Sequence, residues 1–168
     1  MAFRYLCILL ATIALAAPAP AQTPEPVTLA PMDLAVAELL VIGPDGRETR
    51  YSPQTLETLP TYRLRTTTPW RQEPADFDGV LLSDILKASG LDQVQAIRVT
   101  AENDFGSSLQ RVLWENVPVL VATRVNGRPH SRRERGPIQF VIGAHDYTTS
   151  GLATEAHLVW MAARIEPE

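Results

Sequence analysis

From Val117 to Val125 the chain is apolar at nearly every position, and it runs straight into Asn126-Gly127. Asn-Gly suits a type I′ turn, whose two central residues take positive φ and whose twist matches the strands it joins. The fold therefore has to accommodate a buried strand ending in a tight hairpin. Other short runs obey the same punctuation. The stretch from Asp33 to Ile42 is compatible with helix or strand, but Gly43-Pro44-Asp45-Gly46 follows it and favours a strand returning through Arg47 to Tyr51. Tyr62 to Thr68 alternates bulky and polar side chains, ends in three β-branched threonines, and is stopped by Pro69. Ala96 to Ala101, Ile138 to Ile142 and Leu158 to Ile165 read as further strands.

Helices are fewer and short. Ser52-Pro53 pairs an N-cap with proline at the first helical position and predicts a helix through Leu59, ahead of Pro60. Phe77-Asp78-Gly79 reads as a turn leading into an amphipathic helix with Val80, Leu81, Ile85 and Leu86 on its inner face. Gly90 then suits the left-handed position that ends such a helix. Strands outnumber helices, so the expected class is α+β, mainly β with short helices.

The first residues read as a secretory signal, residues 1–21. Arg4 is its positive charge, Tyr5 to Ala17 its apolar stretch, and Ala19-Pro20-Ala21 a small-residue site before a cut ahead of Gln22. The apolar stretch is short for a membrane span, which takes about 20 residues. Residues 22–32, rich in proline and polar side chains, read as a flexible leader, and 33–168 as one domain. The expected location is periplasmic or secreted, with membrane contact only during export. The one cysteine, Cys7, lies within the signal. The mature domain then has neither disulfides nor thiolates for zinc, iron–sulfur or molybdenum, and it must rely on core packing. A net charge of −4 argues against a nucleic-acid partner.

Several stretches carry a resemblance in their order and spacing: Phe77 to Leu86, Ala101 to Phe105, Val117 to Gly127, Gly136-Pro137 and Val159-Trp160. Together they resemble the sulfite-oxidase-type molybdopterin-binding domain. The resemblance spans about Val36 to Ile165 and implies a sulfite-oxidase-like, mainly β fold with short helices. It implies molybdopterin as the family cofactor, held in that family through one cysteine thiolate at a bend after an extended strand. Here that bend falls in Thr66-Thr67-Thr68-Pro69-Trp70, where threonine hydroxyls are poor ligands for a soft metal.

Three groups are candidates for ligand binding. Arg124, Arg128, Arg132, Arg133 and Arg135 crowd one hairpin with His130. They read as an anion site for a phosphate, a pterin pyrophosphate or a small oxyanion, or else as a solvated loop. Asn103 and Asp104 follow a strand and could line a pocket, or simply form an Asx turn. Thr67, Thr68 and Trp70 sit at the bend, where Trp70 could stack on a flat ligand or cap the core. His130, His145 and His157 form no close metal pair, and the chain has no G-x-S-x-G nucleophile motif.

The site expectation is thus Thr67, Thr68, Trp70, Asn103, Asp104, Arg124, Arg128 and Arg133, with no catalytic or metal residue named. The functional expectation is an exported domain that binds a small anionic or planar ligand, or a periplasmic partner protein, without molybdenum catalysis or a resident cofactor. A molybdopterin-dependent periplasmic oxidoreductase is the alternative. An interaction domain of a periplasmic sensory system is a further one.

Overall fold

A computed structural model describes residues 23–168; the stretch expected to be a signal, residues 1–21, and Cys7 within it lie outside the described residues. Two sheets organise the chain. The first has the order β1 (Glu25–Pro26), β4 (Thr61–Thr68), β5 (Arg71–Leu81), β8 (Val119–Val125) and β10 (Gln139–Ile142), with β9 (Arg128–Pro129) also paired to β8. The second has the order β3 (Glu48–Tyr51), β2 (Leu39–Ile42), β11 (Ala162–Pro167), β6 (Ala96–Ala101) and β7 (Gly106–Gln110). All these pairings are antiparallel except β2 with β11. Short helices fill the connections: α1 (Pro53–Leu56), α2 (Leu82–Ala88), α3 (Arg111–Asn116) and α4 (Ala144–Thr149). The fold is mainly β with short helices, as expected.

The main core joins both sheets. Val80, Val121 and Phe140 from the first sheet meet Val41, Val99 and Ile165 from the second, and α2 contributes Leu82, Ile85 and Leu86. The opposite face of the first sheet carries a second cluster, including Leu64, Phe77, Leu120 and Ala122. Alternate residues of β8 therefore enter different clusters, and the strand is buried along its whole length. That two-sided burial is why it reads as an unbroken apolar run. Asn126 and Gly127 take φ of 51° and 70°, and Gly90 takes 70°, as their turn roles require.

Five expectations need correction. Val80 and Leu81 belong to β5 and not to a helix; the pairing of β5 with β4 and β8 holds them extended, and α2 begins at Leu82. Within Asp33–Ile42 only Leu39–Ile42 is strand, and α1 stops at Leu56 after Ser52 caps it through the Thr55 amide at 3.2 Å. The last strand starts at Ala162, with Trp160 making a single bridge to Gln139. Arg71–Asp76, β7, α3 and α4 are elements that the sequence reading passed over. Finally, the leader is tied down. Glu25 and Pro26 pair with Arg63 and Tyr62, the Val27 amide donates to the Thr61 carbonyl at 2.9 Å, and the Ala30 carbonyl accepts from Arg124 at 2.9 Å. Among the described residues no helix is long and apolar enough to cross a membrane.

Candidate functional site

The β4–β5 hairpin turns at Pro69-Trp70, with Thr68 paired to Arg71 across the turn. Facing it is the loop that begins at His130, passes through a single 3-10 turn at Arg132–Glu134, and rejoins the sheet at Gln139. Between the two lies a cavity of about 730 Å³. Phe77 and Gln139 line it together with Trp70 and Trp160.

Arg135 is the organising side chain. Its backbone is left-handed, with φ of 78°, which is uncommon for a residue with a Cβ. Its guanidinium carbon lies 4.2 Å from the ring centre of Trp70 and 4.9 Å from that of Trp160. Both distances fall within the range of cation–π attraction. The backbone is fixed from both sides: the Met161 amide donates to the Arg135 carbonyl at 3.2 Å, and the Gly136 amide to Ser131 at 2.8 Å. Gly136 has to be glycine here, because a Cβ would stand 2.4 Å from the His130 carbonyl oxygen.

The charges around the cavity divide into two kinds. Arg71 pairs with Glu134 at 3.0 Å, and Arg132 pairs with Glu102. Arg133 and Arg135 have no carboxylate partner among the described residues. Four arginines line the cavity against Glu73 and Glu134, in a chain whose overall charge is negative. Behind the floor, His130 is 1% exposed. Its Nε2 donates to Gln139 Oε1 at 2.7 Å, while its Nδ1 is buried without a partner. Burial pushes the imidazole pKa below its ordinary value, outweighing the Gln139 hydrogen bond, so the ring is neutral and orients the Gln139 amide.

Two smaller hollows adjoin. One of about 330 Å³ shares Trp70 and Trp160 with the main cavity and adds Phe105, Ala156 and Leu158. Another of about 290 Å³ lies behind the bend, against Thr67, Thr68 and Tyr147.

The structure sorts the sequence candidates. Thr68, Trp70 and Arg133 line the main cavity, Thr67 the hollow behind the bend, and Asn103 the hollow beside Phe105. Asn103 also forms the Asx turn, its Oδ1 accepting from the Phe105 amide at 3.3 Å. Asp104 is an exposed turn residue with φ of 64°. Arg128, in the hairpin arm β9, is exposed and lines none of these hollows. Arg124 does not belong with the arginine loop. It is buried and holds Glu57 through Nε at 2.9 Å and Nη2 at 2.6 Å. The sequence reading missed Arg71, and placed Trp160 at the core or its edge and not in the cavity wall.

The bend itself does not fit a thiolate-held metal. The described residues contain no cysteine and no cluster of three or more His, Cys, Asp or Glu able to hold a metal ion. The Thr66 hydroxyl is fully buried and accepts from the Ala144 amide at 2.8 Å, pinning α4 to β4. The side chains at the bend thus offer only hydroxyl oxygens, which do not replace a soft sulfur ligand.

No protein-family model matches the sequence, and no curated protein matches it. Among solved structures, the sulfane dehydrogenase SoxCD from Paracoccus pantotrophus is similar in fold, with a TM-score of 0.60 at 14% identity. The likeness covers 90% of this chain and 48% of that one, so the chain spans about half the length of its structural neighbour. This likeness is one of fold alone: the two-sheet arrangement described above recurs in part of that protein.

Proposed function

We propose that this chain is an exported ligand-binding domain that takes a small anionic molecule between the Pro69-Trp70 turn and the arginine loop, without molybdenum catalysis. One observation carries the reading: Arg133 and Arg135 border a cavity of about 730 Å³ and have no carboxylate partner among the described residues. Surface arginines usually find counter-charges, as Arg71 and Arg132 do here. Two that do not, beside one concavity, form a receptor for negative charge. Arg135 is also held in advance. The two indoles cover its guanidinium, so little side-chain entropy is lost when its N–H edges engage an anion. Phe77 and the neutral His130–Gln139 pair give the floor one apolar side and one amide.

The test is isothermal titration of the mature domain with sulfite, sulfate and phosphate at low ionic strength. Saturable binding is expected, weakened about tenfold in Arg133→Ser, the loss of one charge-assisted contact. Absence of binding by all three anions would refute the reading. Protein expressed with its signal in a host that makes molybdopterin should carry no stoichiometric molybdenum or pterin; one of each per chain would overturn the non-catalytic reading. The chain expressed with its signal should be recovered in the periplasmic fraction with Gln22 at its N-terminus, and recovery in the cytoplasm alone with Met1 intact would refute export.

A further inference from the structure

We infer that the ligand is a flat aromatic anion that carries its charge at one end, with its charged group between Arg133 and Arg135 and its ring in the hollow beside Phe105. The inference rests on reading the arginine cavity as an anion site, and it adds the chemistry of the rest of the ligand. The cavity and the hollow are not separate. Trp70 and Trp160 line both, so the two spaces, about 730 and 330 Å³, meet along the same pair of indoles. One half is cationic. The other is walled by Phe105, Ala156, Leu158 and the indole rings.

Phe105 is the feature with no structural task. It is 43% exposed, and is the aromatic among the large exposed hydrophobic residues. The turn at Asn103-Asp104 presents it deliberately: the Asn103 carboxamide holds the Phe105 amide, and Asp104 takes a positive φ of 64° to bend the chain. A phenyl ring beside two indoles offers faces and edges for stacking another ring. An inorganic oxyanion would use the cationic half and leave this apolar wall in water. A neutral aromatic would fill the wall and leave Arg133 and Arg135 without a counter-charge.

Glu155 sets the polarity. It lines the apolar hollow, where it opposes a second negative group at the far end of the ring. Selection is therefore for an aromatic ring with a single anionic end, not for a dianion charged at both ends.

Titration with 2-naphthalenesulfonate, sulfate and 2-naphthalenemethanol tests this. The sulfonate is expected to bind at least about tenfold tighter than either of the others. Phe105→Ser should remove most of that advantage while leaving sulfate affinity unchanged, and Arg133→Ser should weaken both anions. Both positions are on the surface, so folding is not at stake. The 2,6-disulfonate should bind more weakly than the monosulfonate, and Glu155→Gln should recover it. Equal affinity for sulfate and naphthalenesulfonate would overturn the inference while leaving the anion site standing. So would an unaltered naphthalenesulfonate affinity in Phe105→Ser. Failure of both anions to bind would overturn both readings together.

Discussion

Replacing Glu57 by alanine separates a structural arginine from a ligand-binding one. The Glu57 side chain is 10% exposed and that of Arg124 is 5% exposed, and the two form a bidentate pair at 2.9 and 2.6 Å. The Thr123 hydroxyl donates to the same carboxylate at 2.6 Å. Arg124 spends its other contact on the Ala30 carbonyl, so the pair also anchors the N-terminal segment. Removing the carboxylate leaves a desolvated guanidinium with one carbonyl for company, a change that costs about 3–5 kcal/mol. For a domain of this size that corresponds to a fall in Tm of about 6–20 °C. Removing both charges is a different experiment. In Glu57→Leu with Arg124→Met, no uncompensated charge remains, and stability should return to within about 1 kcal/mol of the parent. Circular-dichroism melts and urea titrations of Glu57→Leu, Arg124→Met and the double variant close the cycle. The double variant should also bind sulfate as the parent does, because Arg124 lies outside the arginine cavity. A loss of less than about 1 kcal/mol in Glu57→Ala, or a double variant destabilised by the sum of the singles, would show that the pair is not a buried, coupled one.

Three further outcomes follow from the same geometry. Gly79→Ala should destabilise by about 3 kcal/mol in urea titration, since its Cβ would stand 2.1 Å from the Val121 carbonyl oxygen in the middle of the first sheet; a near-neutral result would mean that β5 and β8 do not approach so closely. The folded pKa of His130 is depressed by burial below the unfolded value of about 6.5, so the unfolded chain takes the proton first. Its contribution to stability is complete above about pH 6.5 and is lost as pH falls through the folded value; His130→Gln should flatten a urea-midpoint profile between pH 7.5 and 5 more than His157→Gln does, and an unchanged slope would contradict this. Arg135→Ala should raise acrylamide quenching of tryptophan emission by uncovering Trp70 and Trp160, and should lower stability by about 1–2 kcal/mol; an unchanged quenching constant would count against the stacked arrangement.

The parts of the fold that were legible in the sequence are those set by local rules. Asn126-Gly127, Gly90 and the Ser52 cap each encode a backbone state in the residue itself, and each is found in that state. The failures sit where pairing overrides local pattern. Phe77-Asp78-Gly79 looks like a turn, because aspartate and glycine favour turns. In the structure all three are strand. Asp78 is buried because Arg63 from the adjacent strand grips both its oxygens, at 2.6 and 2.9 Å, and Gly79 is needed where β8 comes too close for any side chain. Residues that signal a turn in isolation here mark a half-buried ion pair and a close backbone approach, both set by a neighbouring strand. The leader misled in the same way: its composition favours disorder, but two of its residues complete a sheet edge whose partner lies far along the chain.

The arginine cluster shows why a site is harder to read than a fold. In sequence, Arg124, Arg128, Arg132, Arg133 and Arg135 are near neighbours and look equivalent. What distinguishes them is which counter-charge each can reach. Arg124 stands in a strand buried along its length, so its charge had to be paired, and Glu57, 67 residues away, closes the pair. Arg132 reaches Glu102, 30 residues away. Arg135, with its left-handed backbone, lies against Trp70 and Trp160, which are far apart in the sequence. Arg133 has no carboxylate partner among the described residues. The site is therefore defined by pairing and place together: Arg133 and Arg135 lack a carboxylate partner among the described residues and border the cavity, whereas Arg128 also lacks one but lies outside it. The same logic applies to Trp160. A tryptophan in an apolar segment reads as core, and only the guanidinium lying 4.9 Å from its ring centre shows that one face belongs to the cavity.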